Sequence, residues 1–92
     1  MHAIRRSATF RKDLKREAKS PRFKETAFLT AVNTLARGEA LAPRYRNHKL
    51  AGEFFGCFEC HLQPDLLLIY LIDREAQVLQ LVRVGSHAEL FG

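Results

Sequence analysis

The sequence predicts a single α+β domain spanning residues 1–92, and three observations carry that prediction. Apolar residues recur at helical spacing from Phe10 to Leu35 and at strand spacing after Asn47. The run Leu66–Ile72 is apolar without alternation, as a central strand buried on both faces requires. A chain of 92 residues has material for one core only, because at this size about 60–65% of the unfolded surface can be buried.

His2–Arg6 reads as a first strand. Ser7 and Thr9 are candidate caps for a helix whose apolar positions Phe10, Leu14 and Ala18 recur every four residues, while Arg11, Lys12, Lys15, Arg16 and Lys19 occupy its other faces. A second helix is expected to start with Ser20 as cap and Pro21 in its first turn, to run through Phe23, Ala27, Phe28, Ala31 and Leu35, and to end at Gly38. Together they form a helical hairpin. Glu39–Asn47 is a loop containing Pro43.

Lys49–Ala51 is then a short strand and Phe54–Gln63 a longer one, with Phe54, Gly56, Phe58, Cys60 and Leu62 on one face and Phe55, Cys57, Glu59, His61 and Gln63 on the other. Pro64–Asp65 turns the chain into Leu66–Ile72, and Asp73–Ala76 turns it into Gln77–Val84. Gly85 and Ser86 break that strand and leave His87–Gly92 as a short terminal turn. Two helices cover one face of so small a sheet, so the chemistry is expected on the open face.

The composition, 47% hydrophobic and 27% charged, is that of a folded domain and excludes a disordered chain. Charge is unevenly distributed: residues 1–46 hold 12 Lys and Arg against 4 Asp and Glu, whereas residues 47–92 hold 3 against 6. A basic half suits a polyanion such as RNA, a ribosome surface or an acidic protein segment. With no signal-like apolar stretch near Met1 and no run long enough to cross a bilayer, the expected location is cytoplasmic, away from membranes.

Three of the four histidines, His48, His61 and His87, fall at or beside strands of the second half, with Glu59 and Asp65 close by in sequence. Imidazoles exchange protons near neutral pH, and RNA offers a reaction that needs little else. A base takes the 2′-hydroxyl proton, the oxygen attacks the adjacent phosphate, an acid protonates the leaving 5′-oxygen, and a cation such as Arg83 or Lys49 stabilises the phosphate. That route uses no metal and no cofactor. Taken singly, each histidine is more often an ordinary hydrogen-bonded surface or core residue than a catalyst, and Pro64–Asp65 is ordinary turn chemistry.

Zinc is the competing use of Cys57, Cys60, His48, His61 and His87, but cysteines three apart in a strand point to opposite faces. Cys57-Phe58-Glu59-Cys60-His61 also matches the pattern of covalent haem attachment, which requires export and usually a second axial ligand; the only methionine is Met1. Neither site is expected.

Taken together, Asn47-His48-Lys49-Leu50-Ala51-Gly52, His61-Leu62-Gln63-Pro64-Asp65 and the tail Arg83-Val84-Gly85-Ser86-His87-Ala88-Glu89-Leu90-Phe91-Gly92 resemble the RelE superfamily of bacterial toxins, and within it the YafQ family. The resemblance implies a RelE-like (microbial-RNase-like) fold and a type II toxin that cuts messenger RNA in the A site of the 70S ribosome. It also implies a cognate antitoxin of the DinJ or RelB kind. By position, His48, His61, Asp65 and His87 match the acid–base set, Arg83 a cation near the scissile phosphate, and Phe91 a stacking aromatic. Glu59 stands where the pattern has Asp, and Leu66 where it has Trp. Arg11, Lys12, Lys15, Arg16, Lys19, Arg22 and Lys24 of the helices would meet ribosomal RNA or an acidic antitoxin segment, and Lys49 and Glu59 would contact the RNA. A ParE-like toxin that binds gyrase, or an inactive scaffold of the same fold, is the alternative.

Overall fold

The computed structural model describes all 92 residues. Its elements in chain order are β1 (Ala3–Arg6), α1 (Ala8–Ala18), α2 (Glu25–Ala36), a 3-10 turn (Pro43–Tyr45), β2 (His48–Lys49), a second 3-10 turn (Gly52–Phe54), β3 (Phe58–Gln63), β4 (Leu66–Asp73), β5 (Val78–Gly85) and α3 (His87–Phe91). The strands form one sheet in the order β1-β5-β4-β3-β2, with β1 parallel to β5 and every other pair antiparallel. The unalternating run therefore occupies the middle of the sheet, where Leu66–Tyr70 are all buried.

Alternation along β4 builds two cores of unequal size. Leu66, Leu68 and Tyr70 pack with Leu79, Leu81 and Val84 of β5 against Phe10 of α1 and Phe28, Ala31, Val32 and Leu35 of α2. Burying each large apolar side chain there stabilises the fold by about 1.5–3 kcal/mol. Leu67 and Ile69 face the other way and meet Leu90 of α3, with Leu50, Phe54, Cys57 and Val82 around them. The face expected to be open thus carries a small second core, and chemistry is confined to the part that core leaves uncovered.

Several boundaries differ from the sequence expectation, and Gly85, expected to break the last strand, lies within β5 opposite Leu67. Helix α2 begins at Glu25 and not near Ser20, because the Gln63 amide accepts from Lys24 N at 2.9 Å and donates to the Arg22 carbonyl at 2.8 Å, holding that segment extended. Ser20 Oγ instead closes a local turn by accepting from Arg22 N. Strand β3 begins at Phe58 and not Phe54, since Gly56 takes φ +92°, which breaks an extended chain and leaves Phe55 84% exposed. Strand β2, His48–Lys49, starts one residue and ends two residues earlier than expected. The terminal turn is a capped helix: Ser86 Oγ accepts from Glu89 N while the Glu89 carboxylate accepts from Ser86 N.

Helix α1 does more than cover the core. Its cap is Ser7, whose Oγ accepts from Phe10 N at 2.9 Å and donates to the Val82 carbonyl, whereas Thr9 lies within the first turn. Strand β1 pairs only with Val78–Leu81, so beyond that point the edge of β5 would be bare. Asp13 takes the missing partner's place by accepting from Val84 N at 3.2 Å, and Arg16 Nη2 donates to the Val84 carbonyl at 3.4 Å. Asp13 is 2% exposed, while Ala18, expected on the apolar face, is exposed.

Arg16 also bridges to Glu89 of α3 at 2.9 Å, so α1, β5 and α3 converge at Gly85. A Cβ at Gly85 would lie 3.0 Å from Arg16 Nη2, 3.1 Å from Glu89 Oε1 and 3.2 Å from Leu90 Cδ2. Gly85→Val is accordingly expected to lower stability by about 1–3 kcal/mol through overpacking, seen as an earlier thermal transition, and to displace α3.

Candidate active site

Backbone pairing alone brings the first three side chains together. His48 of β2 stands opposite Glu59 of β3, and His61, two residues further along β3, shares Glu59's face. Glu59 is 3% exposed, and its Oε1 lies 3.4 Å from His48 Nε2 and 3.7 Å from His61 Nε2. One carboxylate is thereby shared by two imidazoles. The loop carrying His48 is anchored from beneath, because the Tyr70 hydroxyl donates to Asn47 Oδ1 at 2.5 Å. His48 Nδ1 lies 2.8 Å from the Arg46 carbonyl, which can only accept, so that nitrogen carries the proton.

The second half of the cluster comes from the tail. Asp65, in the β3–β4 turn, accepts from His87 N at 3.2 Å and lies 3.3 Å from His87 Nδ1. These contacts hold the Asp65 carboxyl below the usual carboxylate range, the backbone bond contributing most. An ionised Asp65 accepts a hydrogen bond from His87 Nδ1–H, which in the neutral ring puts the lone pair on Nε2. The rings of His61 and His87 stand 5.9 Å apart at their centroids. Desolvation lowers the His61 pKa; the Glu59 carboxylate opposes this, and the positive field of Arg46 adds to it. The shift favours the neutral form of His61.

Phe91 is 47% exposed, 6.3 Å from the His87 ring and edge-on to Phe54 at 5.8 Å, so one aromatic face is available beside the histidines. Leu66, at the position where a stacking Trp was considered, is buried in the main core. Lys49 is exposed on β2. Cys60 lies in the main core, where burial pushes its thiol up to about 12, while Cys57 packs in the other core. The two thiols lie on opposite sides of the sheet.

Arg83 and Arg16 have partners outside the histidine cluster. Arg83 is not drawn into the histidine cluster: its Nε and Nη2 donate to Asp13 at 2.6 and 3.1 Å, and the cation that acts on His61 is Arg46. Arg16, expected to meet RNA, is committed to Asp13, Glu17, Glu89 and the Val84 carbonyl, whereas Arg11, Lys12 and Lys15 are exposed. Glu59, His61 and His87, without either cysteine, place one ligand atom each within 4.8 Å of one another. That set suits imidazole-preferring divalent ions such as zinc or copper. Asp13 and Arg46 escaped the sequence reading, since no local pattern marks a lone acid on a basic helix or one arginine in a loop.

The family described as bacterial toxin of type II toxin-antitoxin system, YafQ, matches residues 2–92. The mRNA interferase toxin YafQ of Escherichia coli K12 is 34% identical over 91 residues, covering 97% of this chain and 95% of that protein. Among solved structures, a metal-bound toxin from Helicobacter pylori is 45% identical with a TM-score of 0.91, covering 99% of this chain and 100% of that one. The similar chain in the E. coli DinJ-YafQ complex is 29% identical with a TM-score of 0.87, and each chain covers 100% of the other.

Proposed function

Because the chain belongs to the YafQ family of type II toxins, we propose that it is an endoribonuclease that cuts messenger RNA on the ribosome and is neutralised by a DinJ-like antitoxin. The observation that carries this reading is the pair His61 and His87, 5.9 Å apart and each beside its own carboxylate. Two imidazoles so placed can flank one phosphate.

Neutral His61 takes the proton from the 2′-hydroxyl, with Glu59 beside its ring. The 2′-oxygen bonds to phosphorus as the bond from phosphorus to the 5′-oxygen breaks, and His87 gives that oxygen a proton from Nε2, leaving a 2′,3′-cyclic phosphate and a 5′-hydroxyl. Arg46 supplies positive potential at the phosphate, with Arg83, fixed by Asp13, as a second cation. His48 supports Glu59 from its far side. Phe91 stacks on a base next to the cut. The exposed Arg11, Lys12 and Lys15 of α1 meet ribosomal RNA.

The test uses programmed ribosomes with end-labelled messenger, the same messenger without ribosomes, and a messenger with a 2′-deoxy substitution at the cut. Cleavage on ribosomes only, abolished by the 2′-deoxy change, is the expected result. Growth inhibition with no cleavage in any lane would instead favour the gyrase-binding relative. In the same assay the rate is expected to fall with falling pH along a limb centred below about 6.5, because the His61 pKa is lowered and protonation removes the base.

A further inference from the structure

Two grooves flank the Gln63-Pro64-Asp65 turn, and their charge distinguishes them. One, between the end of α1 and α3, is lined by Arg16 and Arg22 but also by Glu17, Asp65 and Glu89, and Arg16 is already ion-paired. The other, about 780 Å³, opens from His61 and His87 and runs toward α2 and the Pro43–Tyr45 turn. It is lined by Lys24, Arg44 and Arg46 and by no carboxylate, and none of those three cations is in an ion pair.

The topology explains why a groove exists there. Strand β2 covers only Phe58 and Glu59, so from Cys60 to Gln63 the outer edge of β3 has no strand beside it. The start of α2, tied to the end of β3 by the Gln63 bonds to Arg22 and Lys24, forms one wall; Arg44 and Arg46 form the other. Arg44 is held over the Tyr45 ring at 5.1 Å, with Nη2 3.3 Å from the Tyr45 hydroxyl, so the cation is placed before any ligand arrives. Arg46 lines the same groove as His61 and His87.

We propose that this groove is the track of the RNA strand on one side of the scissile phosphate, with Lys24 and Arg44 each neutralising a flanking phosphate and Arg46 standing between them and the cut. The inference rests on the nuclease reading and deepens it. The three carboxylates of the first groove disfavour phosphate there, whereas the second groove offers three cations and no carboxylate. Lys24 and Arg44 are thus substrate-binding residues away from the reacting atoms.

The test measures binding of the free chain to fully 2′-O-methylated, and so uncleavable, single-stranded RNA by fluorescence anisotropy over a salt series. Each phosphate neutralised contributes about 0.7 to the slope of log affinity against log salt on single strands. With a nonanucleotide, Lys24→Ala and Arg44→Ala are each expected to lower that slope by about 0.7, and the double variant by about 1.4. Arg74→Ala, in the β4–β5 turn at the opposite end of β4 from Asp65, removes the same charge and is expected to leave the slope unchanged. With a trinucleotide that fills only the cutting site, all variants are expected to match the parent.

A slope unaltered in the double variant, an equal fall in Arg74→Ala, or an equal loss with the trinucleotide would overturn the proposal. Weakened binding of an acidic antitoxin peptide without any change in RNA binding would overturn it too, and assign the groove to that partner. Failure of the nuclease reading is distinct: the parent chain would then leave unmodified messenger uncut on ribosomes.

Discussion

Replacing His87 by alanine is expected to reduce messenger cleavage about 10²–10⁴-fold, the usual worth of a positioned proton-transfer group. The loss should be purely chemical. The His87 side chain is 58% exposed, and α3 keeps its capping box through Ser86 and Glu89, so the thermal transition should be nearly unchanged. Asp65→Ala separates two roles for the carboxylate. If Asp65 only orients His87 through N and Nδ1, its loss costs less than that of the imidazole, and the pH profile keeps its shape. If Asp65 itself delivers the proton, the two variants lose equally and the profile changes form. Growth arrest on induction, compared between parent and variants, checks the same prediction in cells; a His87→Ala chain as toxic as the parent would refute the acid–base assignment.

The sequence revealed what is local and hid what is assembled across the sheet. The centre of the sheet was legible because Leu66–Ile72 has too many adjacent apolar side chains for any one-sided strand, and the alternation of β3 put Glu59 and His61 on one face. The start of α2 was not legible: Ser20-Pro21 is good helix-start chemistry, but a glutamine 39 and 41 residues away in sequence outbids it by bonding Lys24 and Arg22. Gly56 could have warned that the strand could not extend back to Phe54. Within the site, the histidines announced themselves by residue type. Their partners did not: Arg46 acts through a field, and Asp13 through a contact with residues 83 and 84 that no spacing encodes.

Asp13→Ala is the substitution expected to affect stability most. The Asp13 carboxylate is nearly sequestered and accepts from Arg83 Nε, Arg83 Nη2 and Val84 N, with Arg16 Nη1 at 3.4 Å. Removing it orphans the Val84 N–H on the unpaired edge of β5 and strands a guanidinium whose side chain is only 24% exposed. Breaking a fully buried pair in this way costs about 3–5 kcal/mol; partial exposure of Arg83 and Arg16 places this case near the lower end, about 3 kcal/mol. For a domain of this size that corresponds to a fall of roughly 10–20 °C in the midpoint of thermal unfolding, measurable by calorimetry. Asp13→Asn is the informative companion, because the amide oxygen can still accept from Val84 N while the charge that fixes Arg83 is gone. It should fold with a smaller loss, and its cleavage rate reports whether Arg83 contributes to phosphate stabilisation. A fall in rate without a change in RNA affinity would mean that Asp13 positions Arg83 for the transition state. An unchanged rate would leave Arg46 as the cation at the phosphate and confine the Asp13–Arg83 pair to closing the edge that β1 is too short to cover.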